Sequence, residues 1–401
     1  MNVVIAGGGL AGTMAARSLR ELDTDARIIV LGEEPHLYYP RPNLIEFLAG
    51  RLPEDRIFAF PAGWAEKQGI EIRPGDPVAA IRPAERRVET ASGARHAYDA
   101  LLLATGARAA RPPIPGSALA GVFVLRTLDD ARAILGHLEG RGRVAVLGGG
   151  LLGLEIARAL RGRGAEVGVV EVFDRLLPRQ LDTEAAAILK AQIERAGVAV
   201  RLGAAVREIV GDGAVAGLRF ESGDDLGADT VVIAAGVRPE CGPAREAGIA
   251  VGKGVLVDDF MRASVPGIFA AGDAAEHRGR LYGIIPAAFE QARIAAHNIL
   301  GRELPYTGTV PSVTLKVAGL ALTSVGDFEG RGPGAESVVR AVPEEGLYKK
   351  IVLRDRRAVG AIWMGTRKGA AEISHLVAAN RDLGGRPGAL LEESFDFAEI
   401  S

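Results

Sequence analysis

The strongest restriction on the fold is a glycine pattern near the start of the chain. The segment "VVIAGGGLAG" places Gly7, Gly9 and Gly12 in the order G-x-G-x-x-G, between an apolar strand and a helix of small residues. The first glycine allows a tight turn, the second lets a pyrophosphate approach the backbone, and the third lets the helix pack closely on the strand. The next strand, "RIIVLGEE", ends in Glu33 and Glu34, where a ribose hydroxyl needs an acceptor. The segment therefore predicts a dinucleotide-binding strand–turn–helix unit.

The same pattern returns in the middle of the chain. The segment "RVAVLGGGLLG" places Gly148, Gly150 and Gly153 in the same order, and the next strand, in "VGVVEVFDR", ends in Glu171. Glu171 follows the first of these glycines at close to the ~20 residues expected of a ribose-binding acid. Two complete units predict an α/β fold that binds two nucleotides.

Glu171 also bears on the choice of nicotinamide cofactor. A carboxylate accepts hydrogen bonds from a free 2′-hydroxyl but repels a 2′-phosphate, so the sequence favours NADH over NADPH. Arg175 and Arg179 follow closely in the chain and could meet a 2′-phosphate, which leaves NADPH as the alternative.

Composition excludes several kinds of site. The 401 residues are enough for two or three domains, and a net charge of −2 gives no general attraction to nucleic acid or to an anionic membrane. The single cysteine, Cys241, excludes an internal disulfide, a CxxC redox pair and a four-cysteine iron–sulfur site built by this chain alone. The histidines show no metal-binding spacing, so no metal is expected. The apolar N-terminus lacks a basic signal region, and no run of 18 apolar residues occurs, so the expected location is the cytoplasm.

Further segments resemble motifs of the FAD- and NAD(P)-dependent pyridine nucleotide oxidoreductases. "DALLLATGAR" is similar to the segment in which those chains cross from the FAD domain to the NAD domain, and "DTVVIAAGVRP" is similar to the return crossing. "GIFAAGDAAE" resembles the second FAD motif, and the helix in "YGIIPAAFEQARIAAHNIL" would point its N-terminus at the flavin. The resemblance runs from residue 1 to about residue 380.

The resemblance implies a fold and a domain order. It implies two Rossmann-like nucleotide-binding domains, the NAD domain inserted in the FAD domain, followed by a small α+β C-terminal domain. The expected boundaries are 1–110 and 241–304 for the FAD domain, 111–240 for the NAD domain, and 305–401 for the C-terminal domain with its acidic tail.

The resemblance also assigns binding residues. Asp273 would accept a hydrogen bond from the ribityl chain of FAD, and Arg41 would reach the FAD phosphates, which suits a planar and permanently charged donor. The implied FAD-binding set is Gly7, Gly9, Gly12, Glu33, Glu34, Arg41, Val78, Thr105, Gly106, Arg108, Gly272, Asp273 and Glu290. The implied NADH-binding set is Gly148, Gly150, Gly153, Glu171 and Gly236.

Within the family, the segment "LYYPRPNLIEFLAG" distinguishes this chain. Disulfide reductases carry two cysteines in the corresponding region, and NADH oxidases or coenzyme A-disulfide reductases carry one, whereas this chain has Arg41, Pro42, Asn43 and Leu44. The sequence is most similar to NADH:rubredoxin oxidoreductases and to the flavoprotein part of assimilatory nitrite reductases. A thiol relay on this chain's own residues is therefore not expected.

Three charged residues are candidates for a role beside the reacting rings. Glu155 resembles a family glutamate near the nicotinamide, although an acid interacting with the helix dipole is an alternative. Glu46 stands where several ferredoxin reductases have a lysine that pairs with that glutamate. Two carboxylates near one flavin would repel each other unless a cation intervenes, and Lys316 is the candidate cation; a solvent-facing lysine on a strand is the alternative.

The expected function is electron transfer from NADH through FAD to a redox protein such as rubredoxin, ferredoxin or an Fe–S partner subunit. Residues 347–368 hold seven basic residues and one acid, a pattern that fits either a docking patch for an acidic carrier or a solvated hairpin. An NADH oxidase or disulfide reductase without its own cysteine, and a non-catalytic flavin-binding regulatory or structural subunit, are the alternatives. A homo-oligomer and a larger redox complex are both compatible with the sequence.

Overall fold

The computed structural model describes residues 1–140, 142–309, 319–384, 387–392 and 394–395, and the backbone of residues 312–317. By its internal contacts the chain divides into two compact units. Unit 1 comprises Met1–Phe47, Leu52–Ala109 and Val237–Thr309; unit 2 comprises Leu48–Arg51, Ala110–Gly236 and Val310–Ser401.

The elements follow one another in this order along the chain. Up to residue 109 they are β1 (Asn2–Ala6), α1 (Leu10–Leu22), β2 (Arg27–Leu31), α2 (Asn43–Leu48), α3 (Trp64–Lys67), β3 (Ile70–Arg73), β4 (Val78–Arg82), β5 (Arg87–Thr90), β6 (Arg95–Ala97), β7 (Ala100–Leu103) and β8 (Ala107–Ala109). From 110 to 236 they are β9 (Val122–Val124), α4 (Leu128–Leu138), β10 (Arg143–Leu147), α5 (Leu151–Gly162), β11 (Glu166–Val170), α6 (Thr183–Arg195), β12 (Val198–Arg201), β13 (Val206–Asp212), β14 (Ala214–Phe220), β15 (Asp225–Gly227) and β16 (Thr230–Ile233).

The remaining elements complete both units. From 237 to 309 they are β17 (Val237–Pro239), α7 (Gly242–Glu246), β18 (Val255–Val257), β19 (Ile268–Ala270), β20 (Ala275–His277) and α8 (Ile285–Ile299). After 309 they are β21 (Ser312–Val317), β22 (Leu320–Gly326), β23 (Ala335–Val342), β24 (Leu347–Arg354), β25 (Arg357–Met364) and α9 (Ala370–Ala378).

Unit 1 is built on a parallel sheet with the strand order β19-β7-β1-β2-β3. The central strand β1 is apolar and buried from its second residue, as expected of a parallel strand covered on both faces. Helices α1 and α8 pack together on one face through small side chains such as Ala15 and Ala292, which permit close approach. The order of strands reverses between β1 and β7, where ligands of such sheets bind at the carboxyl ends of the strands.

Unit 2 contains a second parallel sheet of the same design, with the order β12-β11-β10-β16-β9. Its central strand β10 has the same burial pattern as β1. A five-stranded antiparallel sheet, β21-β22-β25-β24-β23, follows, and α9 packs on it around Trp363 and Ile373. The structure confirms the predicted fold class of two Rossmann-like domains with a small α+β domain.

Asp182 joins the second parallel sheet's helices to the antiparallel sheet within unit 2. It precedes α6, and its carboxylate accepts hydrogen bonds from Ala185 N (3.0 Å), the Tyr348 hydroxyl (2.8 Å) and Lys350 Nζ (2.9 Å). Burial alone would raise the pKa of Asp182, but these hydrogen bonds outweigh it and hold the pKa below its ordinary value of 3.8. One carboxylate thus caps a helix and neutralises a half-buried lysine.

Replacing Asp182 with asparagine should lower the free energy of unfolding by about 2 kcal/mol at neutral pH, because it removes charge-assisted bonds to groups that stay partly buried. Since the folded pKa is depressed, this contribution is present above the ordinary pKa and is lost as the pH falls below about 4. Urea unfolding followed by Trp363 fluorescence, in a Trp64→Phe background, measures both. Asp212→Asn, at an exposed aspartate, is the control. If Asp182→Asn lowered the free energy of unfolding no more than this control, or still lowered it in acid, the stabilising role of the Asp182 carboxylate would be wrong.

Candidate functional site

The first glycine turn, between β1 and α1, has no room for a side chain at the first and last glycines of its pattern. Gly7 has φ +119°, and a Cβ there would lie 2.0 Å from the carbonyl oxygen of Ala104 at the end of β7. A Cβ on Gly12 would lie 1.9 Å from the carbonyl oxygen of Gly7. By contrast, a Cβ on Gly9 would meet no described atom within 4 Å. The turn is therefore packed against its neighbours on two sides and open at the position where a pyrophosphate would approach.

The second turn, between β10 and α5, repeats these contacts. Gly148 has φ +121°, and a Cβ there would lie 2.5 Å from the carbonyl oxygen of Ala234, which follows β16. A Cβ on Gly153 would lie 2.0 Å from the carbonyl oxygen of Gly148, and one on Gly150 would meet no described atom within 4 Å. Both sites thus leave space for a phosphate at the middle glycine, which fits the two nucleotides implied by the sequence.

The two helices at these turns, α1 and α5, start without a capping side chain. In the described structure α1, α5 and α8 have Gly9, Gly150 and Ile284 at the N-cap, with no side-chain cap and no acid in the first turn. Helices α4 and α6 instead have Thr127 and Asp182 as capping side chains. The free N–H groups of α1 and α5 are therefore available to phosphate oxygens.

Arg41 lies in a cluster with the acid that follows β2. Its guanidinium donates to Glu34 Oε1 (2.5 Å) and to the Tyr39 hydroxyl (2.7 Å), and the same hydroxyl donates to Glu34. Burial alone would lower the pKa of Arg41, but Glu34, with smaller contributions from Tyr39 and Asp273, raises it. A permanently charged donor therefore lies within electrostatic reach of two of the predicted FAD-binding acids.

Arg108 connects the other acid after β2 to the crossing segment. It pairs with Glu33 (2.9 Å) and with Glu240, and the hydrogen bond that it donates to Glu240 is the largest of the effects that raise the pKa of Arg108. The Thr105 hydroxyl donates to the carbonyl oxygen of Glu240 (2.6 Å), while Gly106 takes a positive φ of +70°. The structure brings these predicted residues together around Glu240, which sequence reasoning missed.

The second predicted FAD motif lies beside the start of α1. Gly272 has φ +79°, and a Cβ on it would lie 2.8 Å from Cβ of Ala11. Its N–H donates to Gln291 Oε1 (2.9 Å), so that a buried side chain of α8 fixes the turn that carries Asp273. Gln291 was not predicted, because a glutamine in an alanine-rich helix gives no local signal.

Two further residues of the predicted FAD set lie on β4 and α8. Val78 begins β4, is buried, and lines a small cavity with Ala6, Leu103 and Thr105 among others. Glu290 lies on α8, and its Oε2 accepts a hydrogen bond from the Thr309 hydroxyl (2.8 Å). Their assignment to FAD remains a prediction.

The Glu171 side chain is fixed beside the second turn by hydrogen bonds from backbone N–H groups to its carboxylate. Its Oε2 accepts from Gly149 N (2.6 Å) and its Oε1 from Phe173 N (2.9 Å), and the residue is only 6% exposed. A carboxylate offers about four acceptor positions, so these two bonds leave capacity for a ribose hydroxyl. The next two side chains, Val172 and Phe173, are exposed at 59% and 57% and give the site an apolar surface.

The candidate charged residues lie on separate elements. Glu155 is the fifth residue of α5 and half-buried, outside the first turn, which weakens the helix-dipole alternative. Glu46 lies on α2 and is half-buried. Lys316 lies on β21, and its side chain is outside the described part of the chain. Gly236 has φ +92°, and a Cβ on it would meet no described atom within 4 Å.

Cys241 is not placed for thiol chemistry. It is 3% exposed, and burial raises the pKa of its thiol while Arg245 only partly opposes this effect. A buried thiol with a raised pKa forms little thiolate, the reactive species. Among the described residues, no group of His, Cys, Asp or Glu side chains could hold a metal ion, and no helix combines the length and apolarity that spanning a membrane requires.

The basic segment 347–368 is less of a surface patch than its composition predicts. Lys349 is buried, donates to the carbonyl oxygen of Leu391 (3.0 Å) and lies over the Trp363 ring. Lys350 pairs with Asp182 (2.9 Å). At least these two of the seven basic side chains are paired inside unit 2, so fewer positive charges face solvent than either a docking patch or a solvated hairpin assumes.

Comparisons with known proteins agree with this geometry. The profile of the family described as "Pyridine nucleotide-disulphide oxidoreductase" matches residues 1–296, and that of the "Rubredoxin NAD+ reductase C-terminal domain" matches residues 311–381. Both matches, with the relatives below, confirm the resemblance drawn from the sequence motifs.

Individual relatives differ in how much of their length this chain covers. The nitrite reductase (NAD(P)H) of Bacillus subtilis is 36% identical over 95% of this chain and 48% of that protein. The ferredoxin–NAD(+) reductase component of the biphenyl dioxygenase system of Paraburkholderia xenovorans is 37% identical over 86% of this chain and 85% of that protein. The NADH:rubredoxin oxidoreductase structure from Clostridium acetobutylicum has a TM-score of 0.83 at 28% identity, covering 96% of this chain and 97% of that one. The chain thus spans about half the length of the nitrite reductase and most of the other two.

The open middle glycines provide a matched pair of variants. Both have ordinary extended backbone angles, so alanine fits without strain at either position. Gly9→Ala should lower FAD affinity, and Gly150→Ala should lower NAD⁺ affinity, each by about tenfold or more, because the methyl group occupies the phosphate position. Bound flavin absorbance and NAD⁺ titration report the two effects separately. If both variants weakened the same nucleotide, or neither weakened any, the two-site assignment would be wrong.

Proposed function

The chain belongs to the pyridine nucleotide-disulphide oxidoreductases, and on that premise we propose that it transfers electrons from NADH, through FAD, to a redox protein of the rubredoxin or ferredoxin class or to an Fe–S partner. The family implies FAD and NADH as its cofactors. The observation that carries the proposal is the combination of two open glycine turns with a single, buried cysteine. Similarity to rubredoxin and ferredoxin reductases supports a protein acceptor.

The residues of each unit have distinct tasks in this proposal. Bound FAD would supply the redox chemistry, since it can accept a hydride and release electrons singly. The first turn would hold the FAD pyrophosphate with the N–H groups of α1, and Arg41, which pairs with Glu34, would offset the phosphate charge. The second turn would hold the pyrophosphate of NADH, and Glu171, which accepts a hydrogen bond from Gly149 N, would also accept one from the ribose.

The missing thiol relay determines the kind of acceptor. Cys241 is buried and its thiol has a raised pKa, so this chain has no cysteine pair that could accept electrons from the flavin. A one-electron carrier needs only an approach to the flavin, whereas a disulfide substrate needs a nucleophilic thiolate. The proposal therefore favours a one-electron protein acceptor.

We also propose the domain boundaries that the sequence predicts. Residues 1–110 and 241–304 would bind FAD, residues 111–240 would bind NADH, and residues 305–401 would form the C-terminal domain with its acidic tail. The cytoplasmic location stays a prediction from the sequence.

Three charged residues are proposed to surround the reacting rings: Glu155 near the nicotinamide, with Glu46 and Lys316 near the flavin. If Glu46 carries its charge there, Glu46→Lys should shift the flavin reduction potential upward, because a cation stabilises the anionic reduced form. The potential is measured by dye-coupled reductive titration, with Glu184→Gln, on an exposed first-turn glutamate of α6, as the control. An unchanged potential would place Glu46 away from the ring.

Anaerobic stopped-flow mixing tests the function itself. NADH should bleach the flavin absorbance within seconds, and a second mixing with oxidised rubredoxin or ferredoxin should restore it faster than air-saturated buffer does. The physical reason is that a carrier docked near the flavin accepts electrons singly, while the one thiol of this chain, Cys241, is too buried to assist oxygen or disulfide chemistry. Faster reoxidation by oxygen or a disulfide would favour an oxidase or disulfide reductase, and failure of NADH to bleach the flavin would contradict an enzymatic role.

A further inference from the structure

The loop that follows the acid at the end of β11 carries Arg175, one of the two arginines that could meet a 2′-phosphate. The loop from Glu171 to Leu177 closes over the second glycine turn. Gly149 N donates to Glu171 (2.6 Å), Leu177 N donates to the carbonyl oxygen of Gly149 (3.1 Å), and a Cβ on Gly149 would lie 2.6 Å from the Leu176 side chain. Arg175 therefore lies on the segment that borders the predicted ribose position, where an arginine would accommodate a 2′-phosphate.

Arg175 is turned toward carboxylates instead. Its Nη2 lies 3.4 Å from Glu329 Oε1, and its Nη1 lies 3.4 Å from Asp174 Oδ1. The Arg175 and Glu329 side chains are each about three-quarters buried, at 25% and 23% exposure. Partial burial protects this pair from solvent screening better than a fully exposed pair.

Glu329 belongs to a loop that is itself fixed. The loop lies between β22 and β23, and Asp327 Oδ1 accepts hydrogen bonds from Gly330 N and Arg331 N, both at 3.2 Å. Arg354 donates to Asp327 (3.2 Å) and to the carbonyl oxygen of Arg331 (2.6 Å). The antiparallel sheet of unit 2 thus presents Glu329 to Arg175 in a defined position.

We propose that Glu329 is a specificity-determining positioning residue: it holds Arg175 away from the ribose, so that the site discriminates against a 2′-phosphate. The proposal rests on the proposed NADH-binding function of the second turn. Glu171 repels the 2′-phosphate directly, and Glu329 pairs with Arg175, the cation that would otherwise offset this repulsion. The C-terminal part of the chain thereby contributes to cofactor choice without touching the cofactor.

Glu329→Gln keeps the size of the side chain and removes its charge. In the full-length, FAD-loaded protein, we expect it to tighten binding of adenosine 2′,5′-bisphosphate relative to adenosine 5′-monophosphate by about fivefold, the value of a pair worth about 1 kcal/mol. Isothermal titration calorimetry measures both dissociation constants without turnover. The double variant Glu329→Gln/Arg175→Ala should lose the gain, since the gain requires the released guanidinium.

Two further variants separate this effect from general disturbance. Arg331 also pairs with Glu329, but its side chain is 82% exposed. Arg331→Gln removes this second cation and should not tighten bisphosphate binding. Arg175→Ala alone should leave the ratio of the two dissociation constants unchanged, because Arg175 is already held. This second test stands even if Glu329→Gln does not fold.

The outcomes distinguish the inference from its premise. The role of Glu329 would be wrong if the ratio of the two dissociation constants were unchanged in folded Glu329→Gln, or if Arg175→Ala alone weakened bisphosphate binding. In either case, continued binding of adenosine 5′-monophosphate would show that the nucleotide site itself is correct. No binding of adenosine 5′-monophosphate to the wild-type protein would overturn the proposed nucleotide site, and this inference with it.

Discussion

The contact between each glycine turn and the end of the adjacent strand is the constraint on which the rest of the structure depends. At Gly7 and Gly148 the backbone passes so close to Ala104 O and Ala234 O that a Cβ would lie 2.0 and 2.5 Å from those atoms. These contacts set where α1 and α5 begin, and their uncapped first turns then face open space. The phosphate sites are thus consequences of backbone packing, and the acids after β2 and β11 lie beside them because parallel strands end at one edge.

Local signals explain what could be predicted from the sequence. Both glycine patterns, the apolar parallel strands and the acid after β11 depend on residues within one strand–turn–helix unit, where spacing alone fixes the geometry. The prediction of two Rossmann-like domains with a small α+β domain is confirmed. Glu171 was found by spacing, although its hydrogen bond to Gly149 N was not.

Long-range contacts explain what the sequence left out. Gln291 supports Gly272 across 19 positions, and Glu240 meets Arg108 across 132 positions. The number of basic residues in 347–368 predicted that Lys349 lies at the surface, because composition does not show which face of a strand a residue occupies. In the structure its side chain faces inward, lies over the Trp363 ring and donates to the carbonyl oxygen of Leu391. The pairing of Arg175 with Glu329 spans 154 positions and likewise has no local signature. The cofactor assignments of individual residues therefore stay predictions where only the family pattern supports them.

In the proposed function, electrons pass to a partner protein without a thiol of this chain. Cys241→Ala tests it most directly, because the only cysteine is removed and a small apolar group replaces a buried one. The measurement is the rate at which the NADH-reduced protein reduces oxidised rubredoxin or ferredoxin in a single turnover, with flavin content as the control. Direct transfer from the flavin to the carrier predicts the same rate in the variant and the wild type. A variant that retains FAD and is reduced normally by NADH, yet no longer reduces the carrier, would contradict it.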